Sequence, residues 1–138
     1  MGLTYVTVAL KPVGSSNGGY EAVFLVDTGA TDSMAPSSRL TAAGISPAGK
    51  TSYELADGSV QEYAFGLAQI EFMGEVTAGR VIFGPDNVEP LLGVTALESV
   101  GIVVDPTTRW LRRLPAIPLK RGIRSRSRNV IAAPSPRA

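Results

Sequence analysis

Chemistry in this chain depends on carboxylates, because its 138 residues contain neither cysteine nor histidine. That absence excludes thiol nucleophiles, histidine-based triads and the usual zinc ligands. The most constrained carboxylate belongs to Asp27, which follows an apolar run and enters the glycine turn Asp27-Thr28-Gly29. Asp27 is therefore the leading candidate for acid–base chemistry, and we expect no metal ion and no cofactor.

Strand-forming residues surround this turn, so β-strands are expected to position Asp27. Residues 20–26 form an almost continuous apolar run, which is typical of a strand buried on both faces. Asp57-Gly58 separates two more strand patterns and predicts a two-residue hairpin connection. The apolar pattern changes phase after Gly66, which predicts a bulge or bend there. Further strands are predicted at residues 3–10, 76–83, 102–104 and 109–111.

Two short helical segments are predicted between these strands, one at residues 36–44 and one after Gly93. Serine or threonine at a helix start and glycine at its end are the usual capping signals. The predicted caps are Ser37 or Ser38 with Gly44 for the first segment, and Thr95 with Glu98 and then Gly101 for the second.

The net charge of +1 conceals two different parts. Residues 1–118 carry seven basic and twelve acidic side chains, a net charge of −5, whereas residues 119–138 carry six basic and no acidic ones. This predicts one globular domain over residues 1–118 and a basic, disordered tail over residues 119–138. The Arg-rich tail could contact nucleic acid or an anionic membrane surface, and a merely solvated tail is the alternative.

The location of the protein is expected to be cytoplasmic. The first residues lack the basic and apolar regions of a signal peptide, and no apolar run approaches the length of a bilayer span. Without cysteine the chain cannot form disulfides, so its fold must rest on packing alone, which suits a reducing compartment.

Three features, in this order, make the chain resemble the retropepsin-like aspartic proteases, the single-domain relatives of pepsin. They are Asp27-Thr28-Gly29-Ala30-Thr31 after an apolar strand, the hairpin at Asp57-Gly58 where the family places its flap, and Leu91-Leu92-Gly93 before a short helix. The resemblance covers about residues 3–115 and looks closest to small cellular and bacterial members. It implies an all-β, homodimeric acid-protease half-barrel with a flap hairpin and one short C-terminal helix.

The resemblance also implies a role for each motif residue. Asp27, Thr28 and Gly29 would be catalytic, with the Thr28 hydroxyl reaching across the dimer axis and the Gly29 amide donating toward Asp27. The residues expected to contact an extended peptide are Ala30, Thr31, Asp32, Ala56, Asp57 and Gly58. The residues expected to support the Asp27 loop from below are Leu91, Leu92 and Gly93, because a side chain at the glycine would collide with the turn.

Attack by water on an amide needs a base and an acid at once, and one chain supplies one such aspartate. A two-fold dimer would bring two copies of Asp27 together, where they would share a proton. The predicted function is an aspartic endopeptidase that cuts extended, largely apolar peptides at acidic to mildly acidic pH. One alternative is a catalytically silent module that dimerises and binds peptides. Another makes the basic tail the functional part and the β domain its carrier.

Some positions depart from the viral members that the chain resembles. Those members have an acidic residue at the position of Thr31 and an arginine after the second glycine, where this chain has Val94. Because both partners of that ion pair are absent, a viral-like dimer interface is not expected. Trp110 is predicted to lie in the core or in a dimer interface, and Asp86-Asn87 is interpreted as a turn rather than a cation site.

Overall fold

The computed structural model describes residues 3–16 and 18–119, so all but Leu119 of the predicted basic tail lies outside the described residues. Strands predominate, and two short helices separate some of them. The elements are β1 (Tyr5–Pro12), β2 (Tyr20–Asp27), β3 (Ser33–Pro36), α1 (Ser37–Ala42), β4 (Pro47–Glu54), β5 (Val60–Phe72), β6 (Glu75–Gly84), β7 (Leu91–Gly93), α2 (Val94–Ser99), β8 (Ile102–Val104) and β9 (Leu111–Arg113). The predicted all-β class is confirmed, with both short helical segments present.

Six strands close into a barrel in the order β1-β2-β7-β3-β6-β5, and β5 pairs back onto β1. Two of these pairings, β2 with β7 and β3 with β6, are parallel. Strand β4 lies outside the ring and pairs with β5, while β8 and β9 form a separate hairpin. None of the helices within the described residues is long and apolar enough to cross a membrane.

The barrel interior is filled by alternate residues of its strands. Burying such apolar side chains is the main stabilising term, about 1.5–3 kcal/mol for each large one. On β5 the inward positions are even-numbered, so Ile70 is buried while Leu67 is 54% exposed. The bulge predicted after Gly66 is not on β5, which pairs with β6 in continuous register from Phe65 to Phe72. The register shift lies instead on the partner strand β4, between Pro47 and Gly49. The buried strand residues include Val8, Leu10, Phe24, Ala68, Ile70, Phe72, Val81 and Leu92.

Strand β2 corrects one expectation about burial. Phe24 is fully buried, but its neighbour Val23 is 57% exposed. Only one face of the strand therefore packs into the barrel interior, and the prediction that both faces are buried is wrong. An apolar run cannot distinguish these cases, because single apolar side chains on the surface are common.

The first helix is capped differently from the prediction. Its N-cap residue is Pro36, and no side chain of the helix itself caps it. The Ser38 amide instead donates to Oδ1 of Asp86 at 2.9 Å. Asp86, in the turn after β6, therefore caps the helix from a distance. The other end of the segment agrees with the prediction, because Gly44 follows the helix with a φ of +87°.

The last predicted strand begins later than expected, at Leu111 instead of residue 109. Arg109 has a φ of +67°, which places it in the turn that precedes the strand. Trp110 is 76% exposed, so its predicted place in the core is wrong. A place in an interface between chains stays a prediction.

Candidate active site

Asp27 is the last residue of β2 and lies in parallel register with Gly93 of β7. Immediately after it the chain turns, and the Ala30 amide donates to the Asp27 carbonyl at 3.1 Å. The Gly29 amide donates to Asp27 Oδ1 at 3.0 Å. Within the described residues this is the one hydrogen bond that the Asp27 side chain makes, so its other oxygen is free to act on a ligand.

Beneath this turn, three consecutive amides at the β7–α2 junction bind the Asp27 loop. The Gly93 amide donates to Ser33 Oγ at 3.0 Å. The Val94 amide donates to the Ala30 carbonyl at 2.8 Å, and the Thr95 amide to the Thr31 carbonyl at 3.2 Å. Loop carbonyls thus satisfy donors at the start of α2 that no preceding turn can satisfy.

The predicted capping box at Thr95 and Glu98 is therefore wrong. The N-cap is Gly93, which makes no side-chain cap, so both predicted residues lie within the helix. The residues at the positions of the viral ion pair, Thr31 and Val94, each take part in a backbone hydrogen bond between the loop and the junction, Thr31 with Thr95 and Val94 with Ala30. Gly101, with a φ of +72°, follows the helix as the expected stop.

Gly93 lies directly against the loop that it supports. A Cβ placed there would lie 2.6 Å from the backbone carbon of Asp32 and 2.8 Å from the Thr31 carbonyl oxygen. Real Cβ atoms do not approach backbone so closely, so the contact requires glycine. Leu92, beside it, is completely buried, and its partner in the β2 register is Val26.

A cleft of about 610 Å³ separates the Asp27 loop from the β4–β5 hairpin. Its lining brings together residues from both predicted motifs and from the hairpin. The predicted site residues that line it are Asp27, Gly29, Ala30, Thr31, Asp32, Ala56 and Leu91. Two predicted flap contacts, Asp57 and Gly58, do not line it within the described part of the chain.

Thr28 lies on the other side of the loop. It is exposed and borders a second cavity of about 250 Å³, together with Val94 and Leu97 of α2. Within residues 3–16 and 18–119 its hydroxyl has no hydrogen-bond partner. The chain by itself therefore leaves this polar group facing outward.

The hairpin connection is longer than predicted. The Leu55 amide donates to the Ser59 carbonyl at 2.7 Å, which leaves a three-residue loop rather than a two-residue one. Gly58 in this loop has a φ of +87°. Asp57 Oδ1 accepts hydrogen bonds from the Ser59 hydroxyl at 2.6 Å and from the Ser59 amide at 2.9 Å. These bonds, the hydroxyl first, hold the pKa of Asp57 below its ordinary value of 3.8.

Sequence reasoning missed two residues of the site. Tyr53 of β4 donates its hydroxyl to Asp32 Oδ2 at 2.7 Å, and Ser33, which accepts from Gly93, is only 2% exposed. Alternation along β4 does not single out Tyr53, because its neighbours Ser52 and Glu54 line the same cleft. No local signal marks Ser33, because its partner lies 60 residues further along the chain.

A family model described as "gag-polyprotein putative aspartyl protease" matches residues 14–99, well over half of the chain. The matched stretch contains the Asp27 loop, the β4–β5 hairpin and the β7–α2 junction. A search among curated proteins returns no match. The chain therefore belongs to the gag-polyprotein aspartyl protease family, a family of retropepsin-like aspartic proteases.

Proposed function

We propose that the protein is an aspartic endopeptidase whose catalytic site forms between two copies of the chain. The observation that carries the proposal is the Asp27 carboxylate, held by the Gly29 amide at 3.0 Å while its second oxygen stays free in a cleft. In the mechanism, one Asp27 accepts a proton from water as that water attacks the peptide carbonyl. The Asp27 of the second copy donates a proton to the carbonyl oxygen.

The need for a second copy follows from what one chain lacks. Within the described residues no second carboxylate bonds to Asp27, and the nearest along the loop, Asp32, accepts the Tyr53 hydroxyl. The unpartnered, exposed Thr28 hydroxyl supports a symmetric contact beside the site, in which each copy would bind the other's loop. Exposed apolar residues such as Leu3 and Trp110 offer surface for such an interface.

The proposed substrate is an extended peptide with apolar side chains. The cleft has the carboxylate of Asp27 at one wall, and the apolar residues Met34, Leu55 and Ile82 also line it. A cleft that is mostly apolar with a few polar groups is typical of a ligand site. Because the dyad must keep one proton, we expect activity at acidic to mildly acidic pH.

The proposal is tested by incubating the protein with a diverse peptide library from about pH 4 to about pH 7 and sequencing the products. Asp27→Asn should abolish all cuts. Asp86→Asn is the matched control, because it makes the same change at a residue that only caps α1, where an amide oxygen can still accept. Cuts that persist in Asp27→Asn would overturn the assignment of Asp27.

The shared site has its own test, in which wild-type and Asp27→Asn subunits are mixed in equal amounts and allowed to exchange. If each site needs two intact copies of Asp27, activity per total protein falls to about a quarter, since only that share of dimers is fully wild type. If each chain holds a complete site, activity falls to about half. That second result would overturn the dimeric mechanism while leaving the protease assignment intact.

A second candidate is a module that dimerises and binds peptides without cutting them. It is favoured by the position of Asp57 and Gly58, which do not line the cleft within the described residues. Peptides retained by the wild-type protein but never cleaved would support it.

The basic tail over residues 119–138 is a separate proposal, as a contact for nucleic acid or an anionic surface. Deleting these residues should remove salt-sensitive binding to such polymers and leave cleavage unchanged. If cleavage were lost as well, the tail would belong to the protease domain.

A further inference from the structure

The β4–β5 hairpin has few attachments to the wall that carries Asp27. Strand β4 lies outside the closed barrel and pairs with β5. Within the described residues, the single side-chain hydrogen bond from β4 to the Asp27 loop is that of the Tyr53 hydroxyl to Asp32 Oδ2, at 2.7 Å. This bond joins residues 21 positions apart and spans the cleft from one wall to the other.

The two partners belong to walls that are attached to the rest of the molecule in different ways. The Asp32 backbone lies against Gly93, so closely that a Cβ on the glycine would come within 2.7 Å of the Asp32 carbonyl oxygen. Asp32 is thereby part of the loop that three amides hold from below. Tyr53, in contrast, lies two residues before Leu55, where the hairpin loop closes. The bond therefore connects a strand at the edge of the sheet, which pairs only with β5, to the loop held by the β7–α2 junction.

The surroundings of Tyr53 keep its hydroxyl available as a donor. Its ring lies 6.3 Å from that of Tyr63 on β5, centroid to centroid. Burial, followed by the hydrogen bond to the Asp32 carboxylate, raises the pKa of Tyr53 to about 12, and the Arg80 guanidinium acts in the opposite direction. The same guanidinium stacks over the Phe65 ring at 4.1 Å, so the cluster is packed from the β6 side as well.

We propose that the Tyr53–Asp32 hydrogen bond, here called the latch, holds the β4–β5 hairpin at a fixed distance from the Asp27 loop. Tyr53 is then a positioning residue for peptide binding. As far as cleavage is concerned, the inference rests on the proposed protease function. A peptide that enters the cleft must order the hairpin over itself, which costs conformational entropy. A hairpin already fixed at Tyr53, close to its loop, has lost part of that entropy before the peptide arrives.

The latch is tested first by kinetics. Tyr53→Phe removes one oxygen and keeps the ring, so KM for a cleaved library peptide should rise about 3- to 10-fold, while kcat changes less than about 2-fold. Tyr20→Phe is the matched control, because that hydroxyl has no hydrogen bond within the described residues and lies on β2, away from the cleft. Equal KM values for the two variants would overturn the latch.

A second test does not depend on catalysis. In the Asp27→Asn background, hydrogen exchange of the Leu55 and Gly58 amides reports hairpin opening, because both are bonded across the hairpin loop. We expect Tyr53→Phe to speed this exchange and to weaken binding of an uncleaved peptide, with Tyr20→Phe unchanged. Unchanged exchange and affinity in Tyr53→Phe would overturn the latch even in an active protease. Faster exchange in a protein that never cleaves would uphold the latch and reject the protease function.

Asp32→Asn guards against a folding artefact at Tyr53. Its side chain keeps an oxygen acceptor but loses the charge, so it should shift exchange in the same direction by a smaller amount. Combining it with Tyr53→Phe should add no further change, since both substitutions act on one bond. A fully additive double variant would show that the two residues act separately and would overturn the inference.

Discussion

The two walls of the cleft keep their shape by different means. The wall that carries Asp27 is fixed by backbone: amides of the β7–α2 junction bind carbonyls of the Asp27 loop, with Ser33 as the one side chain involved. The opposite wall is a hairpin whose two strands pair through their backbones. Side chains add two contacts, Asp57 on Ser59 in its loop and Tyr53 on Asp32 near the end of β4. This difference suits the proposed function, in which the catalytic carboxylate needs a fixed position and the hairpin would open as a flap for an extended peptide.

The two glycines of these walls illustrate the difference. Gly93 has an ordinary φ of −85° but no room for a side chain. Gly58 has a φ of +87°, and a Cβ placed on it would have nothing within 4 Å. One glycine is therefore required by close packing and the other by backbone conformation. Alanine at each glycine therefore tests a different property, close packing at Gly93 and backbone conformation at Gly58.

The largest effect is expected for Gly93→Ala. The added methyl would meet the backbone of Thr31 and Asp32, which cannot rotate away, so we expect a loss of about 3 kcal/mol in the free energy of unfolding. Denaturant unfolding measures it, and peptide cleavage should fall with it. Gly79→Ala is the control, because the nearest atom to its Cβ would be Ile70 Cδ1 at 4.0 Å. A Gly93→Ala protein as stable as this control would contradict the close packing.

The next effect is expected for Ser33→Ala. It leaves the buried Gly93 amide without its acceptor, which should cost about 1–3 kcal/mol in the free energy of unfolding. Ser99→Ala makes the same change at an exposed position and should cost about 0.5 kcal/mol or less. Urea unfolding of both variants gives the comparison, with unchanged m-values showing that the folded state is the same. Equal losses in the two variants would show that the Ser33–Gly93 hydrogen bond does not stabilise the protein more than an exposed serine does.

The contrast also explains what the sequence could predict. Most strands, the hairpin position and the stops at Gly44 and Gly101 follow from local alternation and local turn chemistry, and the structure has them. The two short strands β3 and β7 were not predicted, because three or four residues are too few to show an alternating pattern. Every wrong cap has a distant cause. Helix α2 is capped by carbonyls of Ala30 and Thr31, more than 60 residues earlier in the chain, and a spacing rule that looks only three residues ahead cannot find them.

The candidate site divides in the same way. Asp27 and the Leu91-Leu92-Gly93 motif could be found because each is a short, contiguous pattern. The Tyr53–Asp32 contact could not, because it depends on how far the hairpin leans over the barrel. The sequence also did not predict that Val23, on the outer face of β2, is exposed. An apolar run does not show whether other elements pack on one face of a strand or on both.

A smaller and more local effect is expected for Gly58→Ala. The left-handed conformation costs an alanine about 1 kcal/mol, and the open space around it adds no collision. The cost should appear as roughly 5-fold faster exchange of the Leu55 and Gly58-loop amides, with little change in global unfolding. Gly58→Asn should restore much of the protection, because asparagine tolerates this conformation. A large loss of global stability would show that the hairpin tip belongs to the core.

The smallest effect concerns the pH dependence of the hairpin tip. Because the folded pKa of Asp57 lies below 3.8, its turn contributes stability above that pH and loses it as the pH falls through the folded value. NMR titration of the Asp57 carboxyl should find this low pKa, and Ser59→Ala should raise it by removing the hydroxyl donor. The pKa of Asp105, lowered chiefly by the Thr108 and Thr107 amides, should stay unchanged in that variant. An unchanged Asp57 titration would contradict the hydroxyl bond. If the shift is found, Asp57 stays ionised and bonded to Ser59 over the mildly acidic range proposed for the protease, so the titration of Asp57 is not what gives cleavage its acid dependence.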